Sequence, residues 1–77
     1  MLLSDELIDE MRLLLQFDLS SAQVGLKVHT SAGAANVEAA RRLFDKGLVD
    51  HADGGYLTDL GREAAEHLQA ARRILLD

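Results

Sequence analysis

Residues 41–61 read RRLFDKGLVDHADGGYLTDLG, and this stretch decides how the rest of the 77-residue chain must fold. Just before and within it, Val37, Ala40, Leu43 and Phe44 recur on one side of a helix. Lys46-Gly47 ends that helix, a cation in the last turn followed by a residue free to turn left-handed. Leu48-Val49 starts a strand, Asp53-Gly54-Gly55 provides the positive-φ positions of a hairpin, and Tyr56-Leu57 returns. Thr58 is placed to cap the next helix, with Asp59 in its first turn where the helix dipole favours an anion.

Working outward toward the N-terminus, Ser4-Asp5-Glu6 has the form of a helix start, a capping hydroxyl followed by two acids. Leu7, Met11 and Leu14, with Ile8 and Leu15, make a wide apolar face over residues 5–15, and Asp9, Glu10 and Arg12 fall on or near the opposite side. Residues 16–20 form a connector. Ser20 or Ser21 then caps a short helix at Ala22, Gln23 and Val24, which Gly25 stops. Leu26-Lys27-Val28-His29-Thr30 alternates apolar and polar and reads as a short strand pairing with the hairpin. Ser31 to Ala35 is a turn, and Asn36 or a small neighbour opens the helix ending at Lys46. Toward the C-terminus, Leu60, Ala64, Leu68, Ala71 and Leu75 form one stripe of a final helix running from Asp59 toward Leu76.

Composition bounds what such a chain can do. Its length fits one domain, residues 1–77, with a core made mostly of Leu, Val and Ala, because Phe17, Phe44 and Tyr56 are the only aromatic residues. Cysteine is absent, which removes disulfides and thiolate metal sites. No signal peptide opens the chain and no apolar run approaches the roughly 18 residues of a membrane span, so a soluble cytoplasmic protein is expected. The net charge is −5, whereas nucleic-acid binders are usually basic. The acidity concentrates at the front: residues 1–19 carry five acids against Arg12, residues 20–58 balance four against four, and residues 59–77 carry four acids against three arginines.

The order of elements predicts a mainly α fold with a small β-hairpin, a winged helix-turn-helix with a long C-terminal helix. The run RLFDKGLVDHADGGYLTDLGREAAEHL resembles the corresponding part of bacterial regulators of the multiple-antibiotic-resistance and phenolic-acid-response types. In these a helix ending Leu-x-x-x-Gly-Leu-Val leads into the wing, and the returning strand closes on Leu-Thr-x-x-Gly at the head of a dimerisation helix. The matching positions are Leu43, Gly47, Leu48, Val49, Leu57, Thr58 and Gly61. The chain also resembles a small bacterial family of about this length, assigned to DNA binding on fold grounds. The resemblance implies that Arg41, Arg42 and Lys46 meet duplex DNA from the recognition helix, with the hairpin near the phosphates.

On these grounds the expected function is a transcriptional regulator, homodimeric through its last helix. Arg42 and Lys46 would project outward one turn apart, toward phosphates or a guanine edge. The alternative is ordinary surface pairing with Glu38 and Asp45 on the same helix. Lys27 would assist from the strand, and Asn36 is either an adenine reader or a helix cap. Tyr56 is expected to pack the hairpin on the core. His29, His51 and His67 lie 22 and 16 residues apart, which fits no compact ligand motif, so no metal or other cofactor is expected. The acidic pairs Asp5/Glu6 and Asp9/Glu10 read as a solvated helix face rather than a catalytic site, and no enzyme is expected. The acidic first helix and the acid at the hairpin tip favour a second reading, a protein-interaction and dimerisation adaptor that does not bind DNA.

Overall fold

A computed structural model describes residues 2–21 and 23–77. Three helices, α1 (Asp5–Leu14), α2 (Ala34–Asp45) and α3 (Asp59–Leu76), surround a small antiparallel sheet of β1 (Leu26–Lys27), β2 (Val49–His51) and β3 (Gly54–Leu57). A single 3₁₀ turn, Thr30–Ala32, stands between β1 and α2. The mainly helical reading, the hairpin and the long last helix are all present.

The caps expected at Ser4 and Thr58 form. Ser4 Oγ accepts from the Leu7 amide at 3.1 Å, and Thr58 Oγ1 accepts from the Gly61 amide at 3.1 Å. Each satisfies one of the orphan donors at a helix start. Thr58 also donates its hydroxyl to the Gly47 carbonyl at 2.6 Å, tying the start of α3 to the end of α2. Gly47 itself takes φ 78°, the left-handed exit the sequence called for.

The sheet runs β1-β3-β2, with β3 in the middle. Leu26 lies opposite Gly55 and Lys27 opposite Gly54, so the strand expected to pair with the hairpin does so, two residues long rather than five. Asp53-Gly54-Gly55 is not the turn itself. Ala52 and Asp53 connect the strands, and both glycines begin β3, at φ 120° and 78°. Gly54 is confined because a side chain there would run into the Leu26 carbonyl of β1. The ladder slips between Val49 and His51. At that bulge Asp50 Oδ1 takes over as acceptor for the Tyr56 amide, at 2.8 Å.

The core is Leu13, Leu14, Phe17, Val28, Ala39, Ala40, Leu43, Val49 and Ala65. Three faces differ from expectation. On α1 the buried set is Glu10, Leu13 and Leu14, followed by Phe17 just beyond the helix; of the expected face only Leu14 is fully buried, while Leu7, Ile8, Met11 and Leu15 are half-buried. On α2, Ala40 and Leu43 are buried as expected and Ala39 joins them, whereas Phe44 is 41% exposed. On α3, Leu60, Ala71 and Leu75 are exposed, and burial falls instead on Gly61 and Ala65, with Ala64 and Leu68 half-covered. Tyr56 stands half-exposed over Gly25 rather than packing into the core.

The short helix expected at Ala22, Gln23 and Val24 is not formed at Gln23 and Val24, and Ala22 lies outside the described residues. One turn of helix cannot repay its nucleation without an apolar face to bury, and Val24 is exposed. Residues 18–20 instead close on Asp18, whose carboxylate accepts from the Ser20 amide at 2.9 Å. The hydroxyl and amide of Ser20 hold the Asp18 carboxyl below the usual aspartate range.

Candidate functional site

The α1–α2 interface brings three charges together. Glu10, 4% exposed, receives Arg42 Nε at 2.9 Å and Lys46 Nζ on its other oxygen. Arg42 also donates to the Glu6 backbone carbonyl at 3.2 Å and lies 3.6 Å from the Glu6 carboxylate. Burial alone would push the Glu10 carboxyl up. The hydrogen bonds and charges of Lys46 and Arg42 outweigh that and hold it below the ordinary glutamate range. Glu10 in turn raises the Arg42 guanidinium, against a smaller opposing effect of desolvation. No buried side-chain nitrogen or oxygen lacks a partner among the described residues.

Arg42 and Lys46 therefore do not stand free, nor do they form a salt bridge with Glu38 or Asp45; both reach across to α1 while staying partly exposed. The helix axis turns them onto the flank facing α1, and Glu10 was the partner the sequence concealed. Its signal lay in register: Glu10 occupies the first position of the Leu13, Leu14, Phe17 stripe, where a lone carboxylate needs cations from a neighbour. The solvent side of α2 is left with Glu38, Arg41 and Asp45, all exposed. Lys27 is exposed on the outer strand β1. Asn36 lies inside α2 rather than capping it. Gly33 takes the N-cap position, and the Asn36 amide donates back to the Ala32 carbonyl at 2.9 Å. Of the five residues expected to meet DNA, two are gathered, and they are gathered around a carboxylate.

A second feature lies between α1 and α3, which run antiparallel. Gln69 donates to the Phe17 carbonyl at 2.8 Å and reaches the Leu14 carbonyl at 3.4 Å, while Arg62 donates to the Leu19 carbonyl at 3.2 Å. These bonds satisfy carbonyls at the end of α1 and fix how α3 passes it. Farther along, Ile8, Met11 and Leu15 of α1 face Leu68, Ala71 and Leu75 of α3 across an open groove of ≈ 360 Å³, with Arg12 and Arg72 also along it. At its end Ile74, Leu75 and Leu76 are 71%, 83% and 79% exposed. Ile8, Met11 and Leu15 belong to the apolar face expected to turn inward, of which Leu14 does reach the core.

A smaller polar cavity of ≈ 150 Å³ sits between Phe17, Tyr56 and Arg62. Among the described residues no group of three or more His, Cys, Asp or Glu is placed to hold a metal ion. No described helix is long and apolar enough to cross a membrane.

These features define a three-helix domain with a β-hairpin, carrying an internally neutralised cation pair and an open apolar groove. Over residues 1–76 the chain matches the model of the family of unknown function DUF5669, and it belongs to that family. No curated protein and no solved structure matches it.

Proposed function

We propose that this chain is a winged-helix-type interaction module that pairs with a second copy of itself through the α1–α3 groove. The observation that carries this reading is the groove: half-buried apolar side chains of α1 and α3 line one open seam, and three consecutive large apolar residues at the end of α3 are exposed. Seams of this kind mark contact sites rather than ordinary surface. At about 1.5 Å per residue, the 18 residues of α3 span roughly 27 Å. From Ala71 onward its residues are exposed and none belongs to the core.

Charge supports a second copy as the occupant. The N-terminal half of α1 carries Asp5, Glu6 and Asp9, and the C-terminal half of α3 carries Arg72 and Arg73. With a two-fold axis along the antiparallel helix pair, α1 of one copy faces α3 of the other with opposite charges at matching ends. Light scattering at high micromolar concentration is expected to give a dimer mass. Leu75→Asp with Leu76→Asp is expected to give a monomer of unchanged helicity, since both side chains are exposed and surface changes of this kind cost about 0.5 kcal/mol or less in the isolated chain. A monomer mass for the unaltered chain would overturn the reading.

A second reading is duplex-DNA binding by α2 and the hairpin in a transcriptional regulator. The order helix, strand, 3₁₀ turn, helix, hairpin supports it, with β1 on the far side of β3, as do the exposed Arg41 and Lys27. Against it stand Glu38 and Asp45 on the open side of α2 and the engagement of Arg42 and Lys46. An amide NMR titration with a generic duplex at low salt separates the two. Shifts clustered at residues 36–46 and 53–56 favour DNA; a flat spectrum favours the interaction module.

A further inference from the structure

The Glu10 cluster puts an anion where an external anion would otherwise bind. Arg42 and Lys46 sit one turn apart on the same flank of α2, the spacing at which two cations bracket neighbouring phosphates. Every polar contact they make across the interface is to α1: Glu10 takes one from each, and Arg42 adds the backbone and carboxylate of Glu6. With Glu10 and Glu6 ionised, the two cations and two carboxylates sum to zero. The side chains are not walled in: Arg42 is 26% exposed and Lys46 50% exposed, whereas Glu10 is 5% exposed. Solvent therefore reaches the cations from outside while the carboxylate holds them from within.

The geometry points to Glu10 as an internal competitor that occupies the Arg42–Lys46 pair and keeps this flank of α2 from binding the phosphodiester backbone of a nucleic acid. α1 is the element that carries the competitor. The inference deepens the DNA reading of α2 and is independent of self-association through the groove, which is measured by mass.

The test is Glu10→Gln, which keeps the shape and removes the charge. Binding of a fluorescent generic 20-base-pair duplex is followed by anisotropy at low salt for the unaltered chain, for Glu10→Gln, and for Glu10→Gln combined with Arg42→Ala and Lys46→Ala. The unaltered chain is expected to bind weakly. Glu10→Gln should bind at least about tenfold tighter, with a salt slope steeper by roughly two, as two freed cations each displace a counterion. The triple variant should return to the starting affinity.

If Glu10→Gln retains its helical spectrum and binds no more tightly than the unaltered chain, the competitor role is wrong. If both bind tightly and equally, the competitor role fails while the DNA reading of α2 stands. A measurement on the unaltered chain covers the case in which the variant does not fold. The Arg42 Nε–H should exchange with solvent about tenfold more slowly than that of the exposed Arg41, because it is held on Glu10. Equal exchange rates would show the pair to be unoccupied and would also overturn the inference.

Discussion

Gly61→Ala is a substitution for which two rules give opposite signs. Gly61 sits in the first turn of α3, and replacing a helical glycine by alanine ordinarily gains up to about 1 kcal/mol. Here the start of α3 packs directly on the backbone of Leu48, in the link between α2 and β2. A Cβ at position 61 would lie inside the van der Waals envelope of the Leu48 carbonyl oxygen, with the Leu48 carbonyl carbon next nearest and its Cα at 3.2 Å. All three are backbone atoms, so no side chain can swing away. That same carbonyl accepts from the Thr58 amide at 3.1 Å, and moving it loosens the junction that the Thr58–Gly47 bond also holds. Overpacking of this kind costs about 1–3 kcal/mol, and with backbone on both sides the upper end applies. After the propensity gain, a net loss of about 2 kcal/mol is expected. For a domain of this size that lowers Tm by roughly 8–16 °C. Thermal unfolding by circular dichroism reads it directly. A Tm equal to or above that of the unaltered chain would refute the close crossing of α3 over Leu48, and with it the placement of the groove.

Thr58→Ala removes both the α3 cap and the bond to Gly47, and should cost about 1–2 kcal/mol by chemical denaturation, with Thr58→Ser restoring most of it. Equal loss for both variants would mean that the methyl group, not the hydroxyl, matters. Glu10 also sets a pH dependence. Its folded-state carboxyl lies below the ordinary value of 4.5, so the stability it contributes is complete above that value and lost as the pH falls through the depressed one. The difference in unfolding free energy between the unaltered chain and Glu10→Gln should therefore shrink steadily on acidification below about pH 4.5. A difference that stays constant would place Glu10 outside the cluster. Because Asp18 and Asp50 are held low as well, by Ser20 and by the Tyr56 amide and His51 respectively, the comparison of two chains isolates Glu10 from the background acid response.

What the sequence by itself determined is local. Ser4 and Thr58 cap their helices, Gly47 exits α2, and Gly54 and Gly55 take positive φ, because each depends on a few neighbouring residues and on backbone sterics that act over the same short distance. Those positions carry the three helices and the hairpin that form, whereas the short helix expected at Ala22, Gln23 and Val24 is not formed at Gln23 and Val24. What only the tertiary structure decided is which face of each helix turns inward. On α1 periodicity points to one wide face, Leu7, Met11 and Leu14 with Ile8 and Leu15, of which Leu14 reaches the core beside Leu13. Glu10 goes inward with Leu13 and Leu14 and is tolerated there because Arg42 and Lys46 reach it, a pairing that spans more than thirty residues of chain and that no local pattern encodes. Ile8, Met11 and Leu15 line the open groove along α3. Thus the candidate groove and the neutralised cation pair arise from one choice of packing, in which a buried carboxylate must find cations before its helix can settle.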